Sequence, residues 1–345
     1  MTAPIEARTR PSRLTIAGAS SLRGKVLKLL LEESSLLIED LHLLDEEFAA
    51  GMLTEVAGEP AVIQPVDDES FHGARLIFFT GSPDFSLRHA SAARRSGASI
   101  IDLSGAFAVA PGARVWIPAL DSLLVPPPLT LCASNGNEVY VSPSSAAIVA
   151  FTLAAALAPL AVRRLAIVFF QPASEYGQQG IDELESQTAR LLSFQPVAQE
   201  FFDAQVAFNM LSRYGDASRE RLSDSRDSIA ASLRAYLDGR MSVPAIQLVH
   251  APVFHASAFS AFAEFDPARQ PADLESALEA ASVRFTASGD APPSNLSAAG
   301  STEINLARIE REPNLAGGFW LWGAVDNLRL SAANAISIAE RLLAS

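Results

Sequence analysis

Between Val141 and Val162 the chain carries no charged residue, reading V-S-P-S-S-A-A-I-V-A-F-T-L-A-A-A-L-A-P-L-A-V. An extended segment ends at Pro143, two serines follow, and small apolar helix formers take over. A helix without a polar stripe has to be covered on nearly all sides, so this one is expected at the centre of a domain. It is short and Ala-rich, which makes it a poor membrane span. The turn that feeds it carries Ser144 and Ser145. The first N–H groups of the helix and the positive end of its dipole aim at that turn, a position suited to a nucleophile or an anion.

A chain of 345 residues with 49% hydrophobic content exceeds what one compact core usually holds, so two domains are expected. A net charge of -13 argues against nucleic acid and against anionic membranes as partners. The sole cysteine, Cys132, excludes an internal disulfide framework and a multi-cysteine zinc site, and no metal is expected. The first residues, M-T-A-P-I-E-A-R-T-R-P-S-R, lack the apolar core of a signal peptide, so a cytoplasmic location is the expectation.

Leu14 to Ala17 reads as a strand, followed by the turn G-A-S-S-L-R-G from Gly18 to Gly24 and a run of helical spacing from Lys25. Strand, glycine turn and helix open a dinucleotide-binding unit, which makes Gly18, Ser21 and Gly24 candidate cofactor positions. A second strand, Ile38 to Leu44, ends in Asp45, Glu46 and Glu47. Three carboxylates would repel a 2′-phosphate, whereas one acid at a strand end can accept from ribose hydroxyls. NAD is therefore favoured over NADP if either binds. The competing reading of the triplet is a solvated acidic loop.

A third strand at Ala74 to Thr80, a helix from about Ser86 to Ser96 and the run from Gly97 to Phe107 continue the alternation. It predicts a doubly wound parallel sheet. V-P-P-P at 125–128 is a stiff extended linker and the expected boundary region. Cys132 follows in an apolar run and reads as a small buried residue. As a substitute nucleophile it would need a nearby base, which the local sequence does not supply.

Several of these segments, in this order, resemble the aspartate-semialdehyde dehydrogenases. P-S-S-A-A-I resembles the family's P-N-C-S-T-I, with Ser145 at the cysteine, and G-A-S-S-L-R-G resembles G-A-T-G-x-V-G, with Ser21 at the middle glycine. The segment ending D-L-S-G-A-F-A resembles D-N-S-S-A-F-R, with Ala108 at the arginine. Q-P-A-S-E-Y-G-Q-Q-G-I-D-E-L-E-S-Q-T resembles Q-A-V-S-G-A-G-x-x-G-x-x-E-L-x-x-Q-T and keeps Gln171, Ser174, Gly177, Gly180, Glu183, Leu184 and Gln187. Asp203 to Met210 is similar to the family's I-A-F-N strand. H-A-P-V-F-H-A-S resembles R-V-P-V-x-x-G-H-S, with His250 at the arginine and Ser257 at the histidine. D-N-L-R-L-S-A-A-N-A-I-S-I-A-E resembles the closing D-N-L-R-K-G-A-A-x-N-A-V-Q-I-A-E, keeping Asp326, Asn327 and Asn334.

The resemblance implies an α/β chain in two parts. A Rossmann-like doubly wound parallel sheet spans 12–140 and is completed by a C-terminal helix at 326–345. An α+β dimerisation domain of the semialdehyde dehydrogenase type spans 141–325. It further implies that Ser145 stands at the nucleophile, Gln171 at the residue that orients the thiohemiacetal, His250 at the carboxylate clamp, Ser257 at the acid/base and Ala108 at the phosphate clamp. Arg226 and Ser228 fall near the family's E-x-K contacts, and Asn327 joins the glycine turn as a cofactor position. A serine at the acid/base position cannot take a proton near neutral pH; His255, two residues earlier, would have to rotate in. The pattern is closest to the USG-1-like branch. It points to a homodimer, pairing with itself or with an active paralogue, that has lost the chemistry. The alternative is an NAD(P)-dependent oxidoreductase acting on an aldehyde or acyl phosphate by altered chemistry.

Overall fold

The computed structural model describes residues 12–124, 138–237, 239, 241–287 and 289–344; the linker at 125–128 and Cys132 lie outside them. The chain divides into two compact units. One takes the described residues up to Pro118, those ending at Ser142 and those from Ala332 onward; the other takes the segment beginning at Ala119 and Pro143–Ser331.

The first unit contains β1 (Ser12–Ala17), α1 (Leu22–Glu33), β2 (Ile38–Asp45), β3 (Leu53–Val56), β4 (Glu59–Val62), β5 (Gln64–Pro65), β6 (Leu76–Phe79), α2 (Pro83–Arg95), β7 (Ser99–Asp102), β8 (Ala113–Val115) and β9 (Val139–Val141). Strands β3 and β4 form a separate hairpin, and the rest line up in the order β5-β2-β1-β6-β7-β9-β8 with every pair parallel. The central strands are near-continuous apolar runs: all of Leu76–Phe79 and Ser99–Asp102 is buried. A parallel sheet covered on both faces requires such runs. Strand order runs outward in opposite directions from β1 and β6, so the switch point of the doubly wound fold lies between them. Helix α2 begins three residues earlier than its apolar spacing predicts. Ser82 accepts the Phe85 N–H at 3.2 Å and Pro83 presets the first turn, an N-terminal signal that outranks periodicity.

The second unit contains α3 (Ser145–Leu157), β10 (Arg164–Gln171), α4 (Gly177–Leu192), α5 (Leu222–Leu237), β11 (Ala245–His250), β12 (Ser257–Glu264), α6 (Pro271–Ala280), β13 (Arg284–Phe285), α7 (Asn295–Ala298), β14 (Asn305–Leu306), β15 (Glu310–Arg311) and β16 (Gly318–Val325). Its sheet is mixed, in the order β11-β10-β12-β16-β14-β13, with β15 also on β16. Every residue of α3 is buried, as its lack of a polar stripe demands, and the helix packs against β10, α5 and α6. Strand β12 alternates strictly: Ser257, Phe259, Ala261 and Ala263 are buried, and their neighbours are half-exposed. One face of this sheet is therefore left partly open.

Asp203 to Met210, expected as a strand, is instead an irregular loop. Asp203 and Phe208 hold φ of 48° and 58°, in the left-handed region that breaks a strand. The N–H groups of Val206 and Ala207 are taken by the side chain of Gln187 rather than by a neighbouring strand. The chain closes with α8 (Arg329–Ala344). Asp326 accepts the Leu328 and Arg329 N–H groups at its start. From Ala332 the helix belongs to the first unit, where Ala335, Ile338 and Ala339 pack in one core with Leu14, Ile16 and Phe78, and Asn334 Nδ2 donates to Trp116 O and Ser142 Oγ.

Candidate active site and nucleotide turn

Ser144 caps α3, its Oγ accepting the Ala147 N–H at 3.4 Å, and Ser145 is the first helical residue, only 2% exposed. Among the described residues no acid or base is hydrogen-bonded to Ser145 Oγ. A serine nucleophile needs such a base, because its hydroxyl is far less acidic than a thiol. Ser257 opens β12 opposite Val325 of β16 and is buried; its hydroxyl likewise meets no acid or base among the described residues. His255 is exposed, on the loop ahead of it.

Gln171 and His250 end β10 and β11 and face each other in the parallel register. Both are buried. Paired backbone hydrogen bonds between Leu211 and His250 draw the following loop onto the strand end, which brings the Tyr214 hydroxyl to 2.9 Å from His250 Nδ1. Tyr176 donates to Gln171 Oε1 at 3.3 Å. The rings of Tyr176, Phe202, Tyr214 and His250 pack with centroids 4.7–5.6 Å apart. Burial pulls the His250 imidazole down to about 4, and burial also pushes the Tyr214 phenol well up. Both are neutral at pH 7. Where the resemblance implies a guanidinium holding a carboxylate, the chain has an uncharged imidazole packed among aromatic rings.

The turn before Ala108 is organised by Asp102, whose buried carboxylate accepts from the Ser104 N–H and hydroxyl and from the Phe107 N–H. Burial raises its pKa, with those hydrogen bonds opposing the rise. Arg226 is exposed and bonded to its neighbour Asp227, and Ser228 is exposed too. Asn327 is a fastener inside the second unit. Its Oδ1 accepts from Ser174 Oγ and the Ala256 N–H, and its Nδ2 donates to Glu175 Oε2, each within 3.1 Å.

In the glycine turn, Gly18 has φ +94°, and a Cβ there would lie 2.2 Å from the Gly81 nitrogen; at Gly24 one would meet Gly18 O at 2.5 Å. Both positions require glycine. Ser21 does what no glycine could: its Oγ accepts the Gly24 N–H at 2.9 Å, capping α1, and donates to Thr80 O. Asp45 is not part of a solvated loop. It is 5% exposed, and it accepts the Ser20 N–H at 2.7 Å and the Glu46 N–H at 2.8 Å. Glu46 pairs with Arg88, and only Glu47 matches the solvated reading. A dinucleotide pyrophosphate is held by free N–H groups at such a helix start. Here the Gly24 N–H of the helix is taken by Ser21, and the Ser20 N–H of the turn is taken by the Asp45 carboxylate, which would repel a phosphate, so the turn is a poor fit for that group.

Tyr214 was not legible as a neighbour of His250, since the two lie 36 positions apart and the Leu211 bridge helps to bring them together. Among the described residues no cluster of His, Cys, Asp or Glu could hold a metal ion, and no helix is long and apolar enough to cross a membrane.

Comparison with known proteins agrees with this architecture. A family model described as semialdehyde dehydrogenase, NAD binding domain, matches residues 13–143, and one described as semialdehyde dehydrogenase, dimerisation domain, matches 153–330. A USG-1 protein homolog of Pseudomonas aeruginosa is 31% identical over 97% of this chain and 98% of its own length. An aspartate-semialdehyde dehydrogenase of Rickettsia bellii is 25% identical over 97% and 98%. The solved structure of a probable aspartate-semialdehyde dehydrogenase from Pseudomonas aeruginosa superposes with a TM-score of 0.86 at 29% identity, covering 97% of this chain and 99% of that one.

Proposed function

The chain belongs to the semialdehyde dehydrogenase family, and from that premise we propose that it is a dimeric member without acyl-enzyme chemistry, serving as a scaffold or regulator. The observation that carries this reading is that Ser145, His250 and Ser257 are neutral, and neither serine is hydrogen-bonded to a base among the described residues. Acyl transfer through an enzyme nucleophile needs an activated attacking group, a proton acceptor and cations for substrate anions. Ala108 adds no cation. The occupied N–H groups of the glycine turn support weak or absent dinucleotide binding, with NAD favoured over NADP because Asp45, Glu46 and Glu47 oppose a 2′-phosphate.

The dimer is supported by the open face of the second sheet, where Phe170 packs on Trp322 and Phe262 on Trp320. Trp320 and Trp322 are 44% and 39% exposed on that face, and exposed contiguous apolar surface marks an interaction site. A second copy of the chain, or an active paralogue with the same face, would cover them. Domain limits of 12–140 with 326–345, and of 141–325, belong to the same reading, as does a cytoplasmic location. Light scattering tests the assembly: wild type should run as a dimer and Trp320→Glu as a monomer. A wild type that stays monomeric at every concentration would refute the dimer.

A further inference from the structure

After the Leu211 bridge the chain runs through Tyr214 into the first turn of α5 and encloses, with β11, a cavity of about 450 Å³. Ser145, Gln171, His250 and Ser257 do not line it; it adjoins the candidate site through Tyr214, whose hydroxyl meets His250, and through Arg226. Its floor is apolar, made by the buried Leu222 and Leu248 and the ring of Tyr214. Its rim carries Arg213, Arg221 and Arg226. The side chains of Arg213 and Arg221 make no ion pair or hydrogen bond among the described residues, and Arg226 is engaged only by the adjacent Asp227. With Arg226 taken by Asp227, Arg213 and Arg221 are the guanidiniums that no described side chain engages, and a concave wall concentrates their field. Asp216 and Glu220 also line the cavity, so it offers cations for an oxyanion and carboxylates for hydroxyl donors.

We propose that this cavity binds a small phosphate monoester bearing hydroxyl groups, with the phosphate held by Arg213 and Arg221 and the hydroxyls turned towards Asp216 and Glu220. Planar guanidinium groups match phosphate oxygens two at a time. The volume suits a small metabolite rather than a dinucleotide. The site gives the chain a ligand whether or not it catalyses anything.

Calorimetric titration of the full chain with glycerol 3-phosphate, inorganic phosphate and glycerol tests this. The ester should bind more tightly than inorganic phosphate, glycerol should not bind, and added salt should weaken the ester. Arg213→Gln combined with Arg221→Gln should lower affinity by about tenfold or more, and Ser223→Asp, which places a carboxylate in the cavity, should do the same. All three positions are exposed, and an unchanged melting temperature verifies the fold. No binding of the ester to wild type, or equal binding to the double variant, would overturn the site. Inorganic phosphate binding as tightly as the ester would overturn the ligand class.

Discussion

Two regions of the second unit resemble the same family and differ in what holds them. The side chains of Glu183 and Gln187 on α4 carry a whole loop. Glu183 accepts the N–H groups of Glu200, Phe201 and Phe202, while Gln187 accepts from Val206 and Ala207 and donates to the carbonyls of Ala198 and Ala204. Among the described residues the side chains of Ser145 and Ser257 hold nothing comparable, and the His250 ring has a single hydrogen-bond partner. Residues that match the family motif on α4 are thus explained by the backbone groups they satisfy, without reference to chemistry. In this unit Ser145 and Ser257, which depart from the motif, are positions whose side chains hold little structure. Gln171 stands between the two: it matches the motif, is buried, and among the described residues its side chain accepts from Tyr176 alone.

The contrast is sharpest in stability. Gln187→Ala strands four backbone groups, two of them on the fully buried Val206 and Ala207, and should cost about 3–5 kcal/mol, a large share of a domain's total. Ser145→Ala and Ser257→Ala should each change stability by less than about 1 kcal/mol. Urea melts of the three variants measure both, and a comparable loss in all three would erase the distinction.

The next effect depends on pH. His250 has a folded pKa near 4 against an ordinary 6.5, so on acidification the unfolded chain takes up the proton first. Its contribution is fully present above the unfolded value and lost as pH falls from 6.5 towards 4, by an amount on the order of 3 kcal/mol. Asp102, raised by burial, acts with the opposite sign over the acid range, so the His250 part is read as the difference in slope between wild type and His250→Asn. Identical slopes would mean that the imidazole is not buried neutral.

A smaller effect belongs to the glycine turn. Ser21→Ala removes the cap on α1 and should cost about 1 kcal/mol, while Ser21→Gly should cost only a few tenths. If Ser21→Ala melts like wild type, the serine is not there for the helix.

Much of the fold could be read in advance, because parallel strands, the glycine turn and the uncharged α3 each leave a pattern in the sequence. Other features leave none. Asp45 reads as one of three surface acids, yet it turns inward onto the Ser20 N–H. Asp203 to Met210 reads as a strand because its residues match one, but the left-handed φ at Asp203 and Phe208 falls on residues that do not advertise it. Ser145, His250 and Ser257 could be singled out from the resemblance alone, whereas the burial that keeps His250 neutral, with Tyr214 against its ring, depends on a long-range bridge.

The most direct measurement is turnover of aspartate semialdehyde by the purified wild-type chain with phosphate and either NAD or NADP, followed by nicotinamide absorbance and repeated with Ser145→Cys. Both proteins should show no rate above background, since restoring a thiol leaves Ser257, His250 and Ala108 unable to supply a base or a cation, and groups that act as a unit are not rescued singly. An ordinary enzymatic rate in the wild type, abolished by Ser145→Ala or by Ser257→Ala, would contradict the account and establish a serine-based mechanism in its place.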